Sequence, residues 1–178
     1  MLTDRAIVLK AVSQHGYALT HAPSFHRCPD IMLVAVSSHG DALRHATNEL
    51  KGKFNIVLAA VSQNGNALAH AGGSMQADRE IVLAAVTKDG FALEHAHDDL
   101  KADRDIVFVA VTNKGDALGH AHDDLKADRD IVLAAVSQNA AALRFAPAKL
   151  QGDNAFVKLA TSRMPRDQMP LPKHQRIV

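Results

Sequence analysis

The chain has 178 residues, 47% hydrophobic but only 4% aromatic and without Trp, so any core must be built from Ala, Val, Leu and Ile. Twenty Lys and Arg against nineteen Asp and Glu give a formal charge of +1, which selects no polyanionic partner. No run approaches 18 apolar residues, so no membrane-spanning helix is expected, and the lone cysteine, Cys28, excludes an internal disulfide.

In chain order, the first expected helix covers the apolar segment Ile7 to Val12, after Asp4 and before Gly16. The start, Met1-Leu2-Thr3-Asp4, leads straight into it without the charged, apolar and cleavage regions of a signal peptide. A soluble intracellular protein, cytoplasmic or in an organelle lumen, is therefore expected. The start near a repeat boundary also suits a piece of a longer array.

The segment recurs as Ile31 to Val36, Ile56 to Val61, Ile81 to Val86, Ile106 to Val111 and Ile131 to Val136, 25 residues apart except for 24 between the first two. Each copy continues to Gly16, Gly40, Gly65, Gly90 or Gly115, with Ala140 in the sixth, and then to an Ala-Leu pair. Three residues beyond the Ala of each pair stands His21, His45, His70, His95 or His120, replaced by Phe145 in the sixth. The 13 residues from His95 to Val107 are identical to those from His120 to Val132. A fixed short period marks stacked repeats. The expected fold is all-α: an α-solenoid of about six short helix–turn–helix repeats, with units near 4–27, 28–52, 53–77, 78–102, 103–127 and 128–152.

The unit 78–102 carries the full repeat pattern. Asp78 suits an N-cap and Glu80 the positive end of a helix dipole. Ile81, Val82, Ala85 and Val86 form one broad apolar stripe at helical spacing, and the apolar residue at 84 suggests cover on more than one side. Val and Ile favour strands by propensity, but the polar alternation of a strand is missing. Gly90 suits a left-handed C-cap. A second helix then places Ala92, Leu93, Ala96 and Leu100 on one face, giving two helices of about 10 residues, each ~15 Å long.

At the far end, Asp153, Phe156, Val157 and Ala160 echo a first helix, giving a half-unit cap over 153–162 that closes the array of 1–162. The segment 163–178, with Pro165, Pro170 and Pro172, reads as an extended tail, and residues 158–178 carry about four net positive charges.

The ladder of His45, His70, His95 and His120 is the tempting site. Ligands of one zinc lie about 2.1 Å from the ion, whereas packed helices stand 8–10 Å apart, and Phe145 cannot ligate. These histidines are therefore read as structural repeat positions, like Gly40, Gly65, Gly90 and Gly115. His97 and His122 read as part of solvated acidic turns, and the acids from Asp98 to Asp105 and Asp123 to Asp130 as helix caps rather than a calcium loop. Gly72-Gly73-Ser74 reads as a looser turn, Cys28 as a small buried thiol, and no nucleophile elbow surrounds any serine. No catalytic residue, metal ligand or cofactor site is assigned, and no enzyme is expected.

What remains is surface. Thr20, Arg44, Ala69, Glu94, Gly119 and Arg144 vary at one position of the second helix; His15, His39, Asn64, Asp89, Lys114 and Asn139 vary at the turn. From these, Arg44, Glu94, Arg144, His39, Asn64, Asp89 and Lys114 form the candidate binding surface. Mixed charge and scarce aromatics favour a protein partner over nucleic acid. The expected function is a non-enzymatic scaffold for protein–protein interaction, within a larger assembly or alone. An RNA-binding helical solenoid and a metal-binding protein using the histidine ladder are the alternatives, and homo-oligomerisation through open array ends stays open.

The pattern Asp-x-x-Ile-Val-Leu-x-Ala-Val-x-x-x-Gly-x-Ala-Leu-x-His-Ala, as at Asp78 to Ala96, resembles a tandem helical repeat family catalogued as a domain of unknown function. Its repeat of roughly 49 residues spans two of these units, and such repeats are common in protists, algae and some intracellular bacteria. The resemblance covers residues 4 to about 160 and implies the repeat architecture, with no chemistry or site residues attached.

Overall fold

The recurring apolar segments all fold as α-helices. In the computed structural model, which describes residues 2–162, they are α1 Leu2–Gln14, α2 Pro29–Ser38, α3 Phe54–Gln63, α4 Arg79–Lys88, α5 Arg104–Asn113, α6 Arg129–Gln138 and α7 Asn154–Ser162. No strand occurs among the described residues. The β-branched residues are accommodated because stacking covers them: Ile81, Val82 and Val86, with Ala85, are wholly buried, as are their counterparts in α2, α3, α5 and α6. Full burial of an Ile, Val or Leu side chain contributes roughly 1.5–3 kcal/mol, cover that so short a helix lacks alone. The chain is an all-α repeat solenoid.

The second helix of each unit is not the expected ten-residue α-helix. It divides into a six-residue 3-10 helix, such as Gly90–His95, and a one-turn α-helix, such as Asp98–Lys101. Between them Ala96 and His97 are extended, at φ −71°, ψ 153° and φ −60°, ψ 150°. The cause lies in the preceding unit. The His97 amide donates to the Gln76 carbonyl at 2.9 Å, and Gly72 and His122 donate likewise to Lys51 and Lys101. An amide engaged across units is not available to prolong its own helix. Pro147, which has no amide hydrogen, takes this place in the sixth unit, and its φ of −60° suits the same extended backbone. Successive α-helices stack on one another, and so do successive 3-10 helices.

The recurring glycine is not a left-handed cap either: no described glycine has positive φ. Asp89 ends α4 in extended backbone, and Gly90 opens the 3-10 helix. Glycine is needed because the next unit comes too close. A Cβ on Gly40, Gly65, Gly90 or Gly115 would lie 2.4 Å from the carbonyl oxygen of Ala60, Ala85, Ala110 or Ala135. Most of these glycine amides also donate across the same gap: Gly16 to His39 Nδ1, Gly40 and Gly115 to the Oε1 atoms of Gln63 and Gln138, and Gly90 to Asn113 Oδ1.

Asp78, Asp103 and Asp128 are N-caps as expected, each accepting two first-turn amides. Their second role comes from arginine. Arg79 bridges Asp103 and Asp105 at 3.0 and 3.1 Å, Arg104 bridges Asp128 and Asp130 at 3.1 and 3.2 Å, and Arg129 reaches Asp153 at 3.0 Å. One exposed charge ladder thus ties the starts of α4, α5, α6 and α7 in turn. Gly72-Gly73-Ser74 is not a looser turn: Gly73–Gln76 forms the usual one-turn helix. Cys28 is half-buried ahead of α2 and caps nothing through its side chain. In α7, Phe156 and Ala160 are buried while Lys158 and Leu159 are exposed. The tail expected over 163–178 lies outside the described residues.

Candidate functional site

A 3-10 helix has three residues per turn, so residues i and i+3 stand one above the other. Each 3-10 segment therefore presents two residues along one edge, and stacking extends them into two columns along the array. The outer column is Thr20, Arg44, Ala69, Glu94, Gly119 and Arg144, exposed except for half-buried Gly119. Arg44, Glu94 and Arg144, singled out by their variability, are thus brought into one register. The inner column is Tyr17, Asp41, Asn66, Phe91, Asp116 and Ala141. Sequence reasoning missed it, although these residues differ from unit to unit as much as the outer set, and Tyr17 and Phe91 are two of the few exposed aromatics.

The turn residues lie beside the inner column and are largely occupied by the frame. Asn64 Oδ1 accepts the Asn66 amide, and its Nδ2 donates to Asp41 Oδ1 at 2.8 Å. Asp89 accepts the Phe91 amide and the Asn66 side-chain amide. His39 accepts the Gly16 amide, and its ring centroid lies 5.4 Å from that of Tyr17. Lys114 is exposed and caps nothing.

Where the inner column meets the turns, two congruent grooves open three units apart. One, of about 290 Å³, is lined by Tyr17, His39, Gly40, Asp41, Gln63 and Asn64. The other, of about 380 Å³, is lined by Phe91, Lys114, Gly115, Asp116, Gln138, Asn139 and Ala140. Their polar fittings differ. Asp41 receives Asn64 Nδ2 on one oxygen and the Tyr17 hydroxyl, at 3.5 Å, on the other. Asp116 receives Arg144 at 3.3 Å on Oδ2, but its buried Oδ1 has no hydrogen-bond partner, and Phe91 has no hydroxyl to offer.

The histidine ladder lies behind the outer column. His21 is exposed; His45, His70, His95 and His120 are half-buried. His45 Nε2 stands 3.3 Å from Thr20 Oγ1, its ring is 5.7 Å from that of His26, and the His120 ring meets Phe91 edge-on at 6.5 Å. Burial, with the neighbouring charges of His26 and Arg44, lowers the pKa of His45; burial and Arg44 lower that of His70. Among the described residues no three His, Cys, Asp or Glu side chains converge as metal ligands would. Phe145 fits because its neighbour changes too: a Cβ on Gly119 would lie 2.9 Å from the Phe145 ring, and the Arg144 guanidinium covers that ring at 4.6 Å. His97 and His122, read as members of solvated turns, are also N-caps, with Nδ1 accepting the amides of Asp99 and Asp124 at 3.4 and 3.3 Å.

The geometry has a sequence counterpart. The model of a family described as a domain of unknown function, DUF4116, matches residues 4–51, 28–76, 53–101, 78–126, 103–151 and 128–165. The chain belongs to the DUF4116 family. All but the last of these matches span two units, and each successive match begins one unit later, so the DUF4116 repeat pairs neighbouring hairpins across the interface that the glycines close. No curated protein and no solved structure matches the chain. No helix among the described residues is long and apolar enough to cross a membrane.

Proposed function

We propose that the chain is a non-enzymatic scaffold that binds a protein partner along its 3-10 face, alone or within a larger assembly. The observation that carries the reading is the pair of columns. On a frame whose core residues scarcely change, the outer column runs Thr20, Arg44, Ala69, Glu94, Gly119, Arg144 and the inner one Tyr17, Asp41, Asn66, Phe91, Asp116, Ala141. Repeat arrays bind through surfaces extended along the stack, and alternating charge signs suit a polypeptide better than a uniform polyanion. The grooves at Tyr17 and Phe91 add two concave seats with an aromatic wall and a carboxylate. The test compares affinity capture from source-cell extract by the wild-type chain and by the triple variant Arg44→Ala/Glu94→Ala/Arg144→Ala. Proteins held by the first and lost by the second support the reading. An identical set on both, or none on either, refutes it.

A further inference from the structure

The α-helical side of the array carries a different surface. At one register of consecutive helices stand Leu33, Leu58, Leu83 and Phe108, all apolar, the leucines half-buried against the core and Phe108 exposed. Between α3 and α4 this side opens a groove of about 460 Å³, with Leu58 and Ser62 on one wall and Leu83, Ala84 and Thr87 on the other. Glu80 and Lys88 also line it. On α4 the lining residues fall at i, i+3, i+4, i+7 and i+8, so the groove follows that helix over its whole length, about 15 Å.

The walls specify the occupant. Leu58 and Leu83 are ridges and Ala84 is a low point between turns, a relief that another helix can pack against. The Thr87 hydroxyl is already engaged by the Leu83 carbonyl at 2.7 Å, and the α3 and α4 backbones are hydrogen-bonded within their own helices. The groove thus offers no backbone pairing to an extended strand, and its occupant must satisfy its own backbone. The ends carry opposite charges: Glu80 at the start of α4 and Lys88 at its finish. A helix lying parallel to α4 brings its positive N-terminal end to Glu80 and its negative C-terminal end to Lys88.

We infer that the α3–α4 groove docks an amphipathic helix of a partner protein, parallel to α4, with an apolar stripe on Leu58, Leu83 and Ala84, a basic residue in its first turn and an acidic one in its last. This surface is separate from the 3-10 face, so either reading can fail alone.

The probe is a fluorescein-labelled, hydrocarbon-stapled Leu/Ala helix of about ten residues, matched to the length of α4, with Lys in the first turn and Glu in the last. A charge-reversed peptide and a proline-interrupted peptide are its controls. Fluorescence anisotropy should show the forward peptide binding roughly tenfold more tightly than the reversed one, whose end charges repel when it lies parallel and whose dipole opposes Glu80 and Lys88 when it flips, and the proline peptide not at all. Glu80→Lys/Lys88→Glu should invert the preference. Leu83→Glu should abolish binding with circular dichroism unchanged, and Arg44→Ala/Glu94→Ala should leave it intact. Equal binding of all three peptides overturns the proposal, as does binding that survives Leu83→Glu. Sedimentation showing a dimer that Leu83→Glu dissolves would assign the groove to a second copy, and Leu83-dependent flotation with neutral phosphatidylcholine vesicles would assign it to lipid; either overturns a partner helix.

Discussion

Gly90→Ala isolates the contact that sets the spacing of the units. The added methyl would lie 2.4 Å from the Ala110 carbonyl oxygen and 3.0 Å from Lys114 Cβ. The first obstacle is backbone, and that oxygen already accepts the Lys114 amide at the end of α5, so the strain cannot relax into a side-chain rotation. Overpacking of this kind costs about 1–3 kcal/mol, against which alanine recovers roughly 0.5–1 kcal/mol of unfolded-chain entropy. The expected net loss is up to about 2.5 kcal/mol, which at this chain length lowers the melting temperature by up to about 10 °C. Gly73→Ala is the internal control: nothing lies within 4 Å of its Cβ, so it should raise the melting temperature. Circular dichroism melts of both variants provide the measurement, and hydrogen exchange should locate the Gly90→Ala damage in the two units flanking the contact. If both substitutions move the melting temperature in the same direction, close approach is not why glycine recurs.

The replacement of His by Phe145 rests on Gly119, whose Cβ would meet the ring at 2.9 Å. Gly119→Ala should therefore destabilise by about 1 kcal/mol, and Phe145→His should cancel much of that loss, measured as a coupling in a urea double-mutant cycle. In the charge ladder, Asp128→Ala removes an N-cap as well as an ion pair, so it should cost about 1–2 kcal/mol. Arg104→Ala removes only its exposed ion pairs to Asp128 and Asp130 and should cost less than Asp128→Ala, with the difference persisting in high salt. Burial lowers the pKa values of His45 and His70 in the folded chain. The unfolded chain then binds more protons, so their contribution is fully present above the ordinary histidine pKa of about 6.5 and is lost as pH falls through the lower folded values. Melting temperature should therefore rise from pH 5 to 7.5 and level off, and ¹H–¹⁵N titration should place both midpoints below that of an unfolded reference. In Asp103, partial burial pushes the pKa up, but the Arg79 hydrogen bond and the Ile106 and Asp105 amides outweigh it and leave it lowered. That stabilisation, present above the ordinary aspartate pKa, disappears only at still more acid pH.

How much of this could be read from the residues depends on whether one unit sufficed. The α-helices were legible because Ile81, Val82, Ala85 and Val86 repeat a helical stripe, and Asp78, Asp103 and Asp128 stand where caps belong. The break in the second helix was not legible, because Ala92, Leu93, Ala96 and Leu100 fit an α-helix too. What breaks it is the hydrogen bond that the His97 amide donates to the Gln76 carbonyl, 21 positions earlier. Glycine at 90 was legible as a turn, but its reason is a carbonyl 20 positions ahead. The arginine ladder did leave a trace, since Arg79, Arg104 and Arg129 are each followed 24 residues later by Asp. The inner column needed the 3-10 geometry before Tyr17, Asp41 and Phe91 could be seen to align with Thr20, Arg44 and Glu94.

The two sides of the stack also differ in what holds their residues constant. Gly90, Ala92, Leu93 and the buried stripe of α4 lie inside the stack, where a change has no room to relax into solvent. On the 3-10 side, Thr20, Arg44, Ala69, Glu94 and Arg144 face outward and vary, whereas Gly119 and the half-buried inner-column residues vary together with the neighbours they touch. The α-helical side follows neither rule. Leu58 and Leu83 retain solvent contact and Phe108 is 43% exposed, yet the position stays apolar in unit after unit. Leu33, Leu58 and Leu83 also pack partly against the core, but packing alone would tolerate a lysine or glutamate stem with its head in water. Sustained apolar character at partly exposed positions, beside an open groove with charges at both ends, is what an interface looks like before its partner is in place.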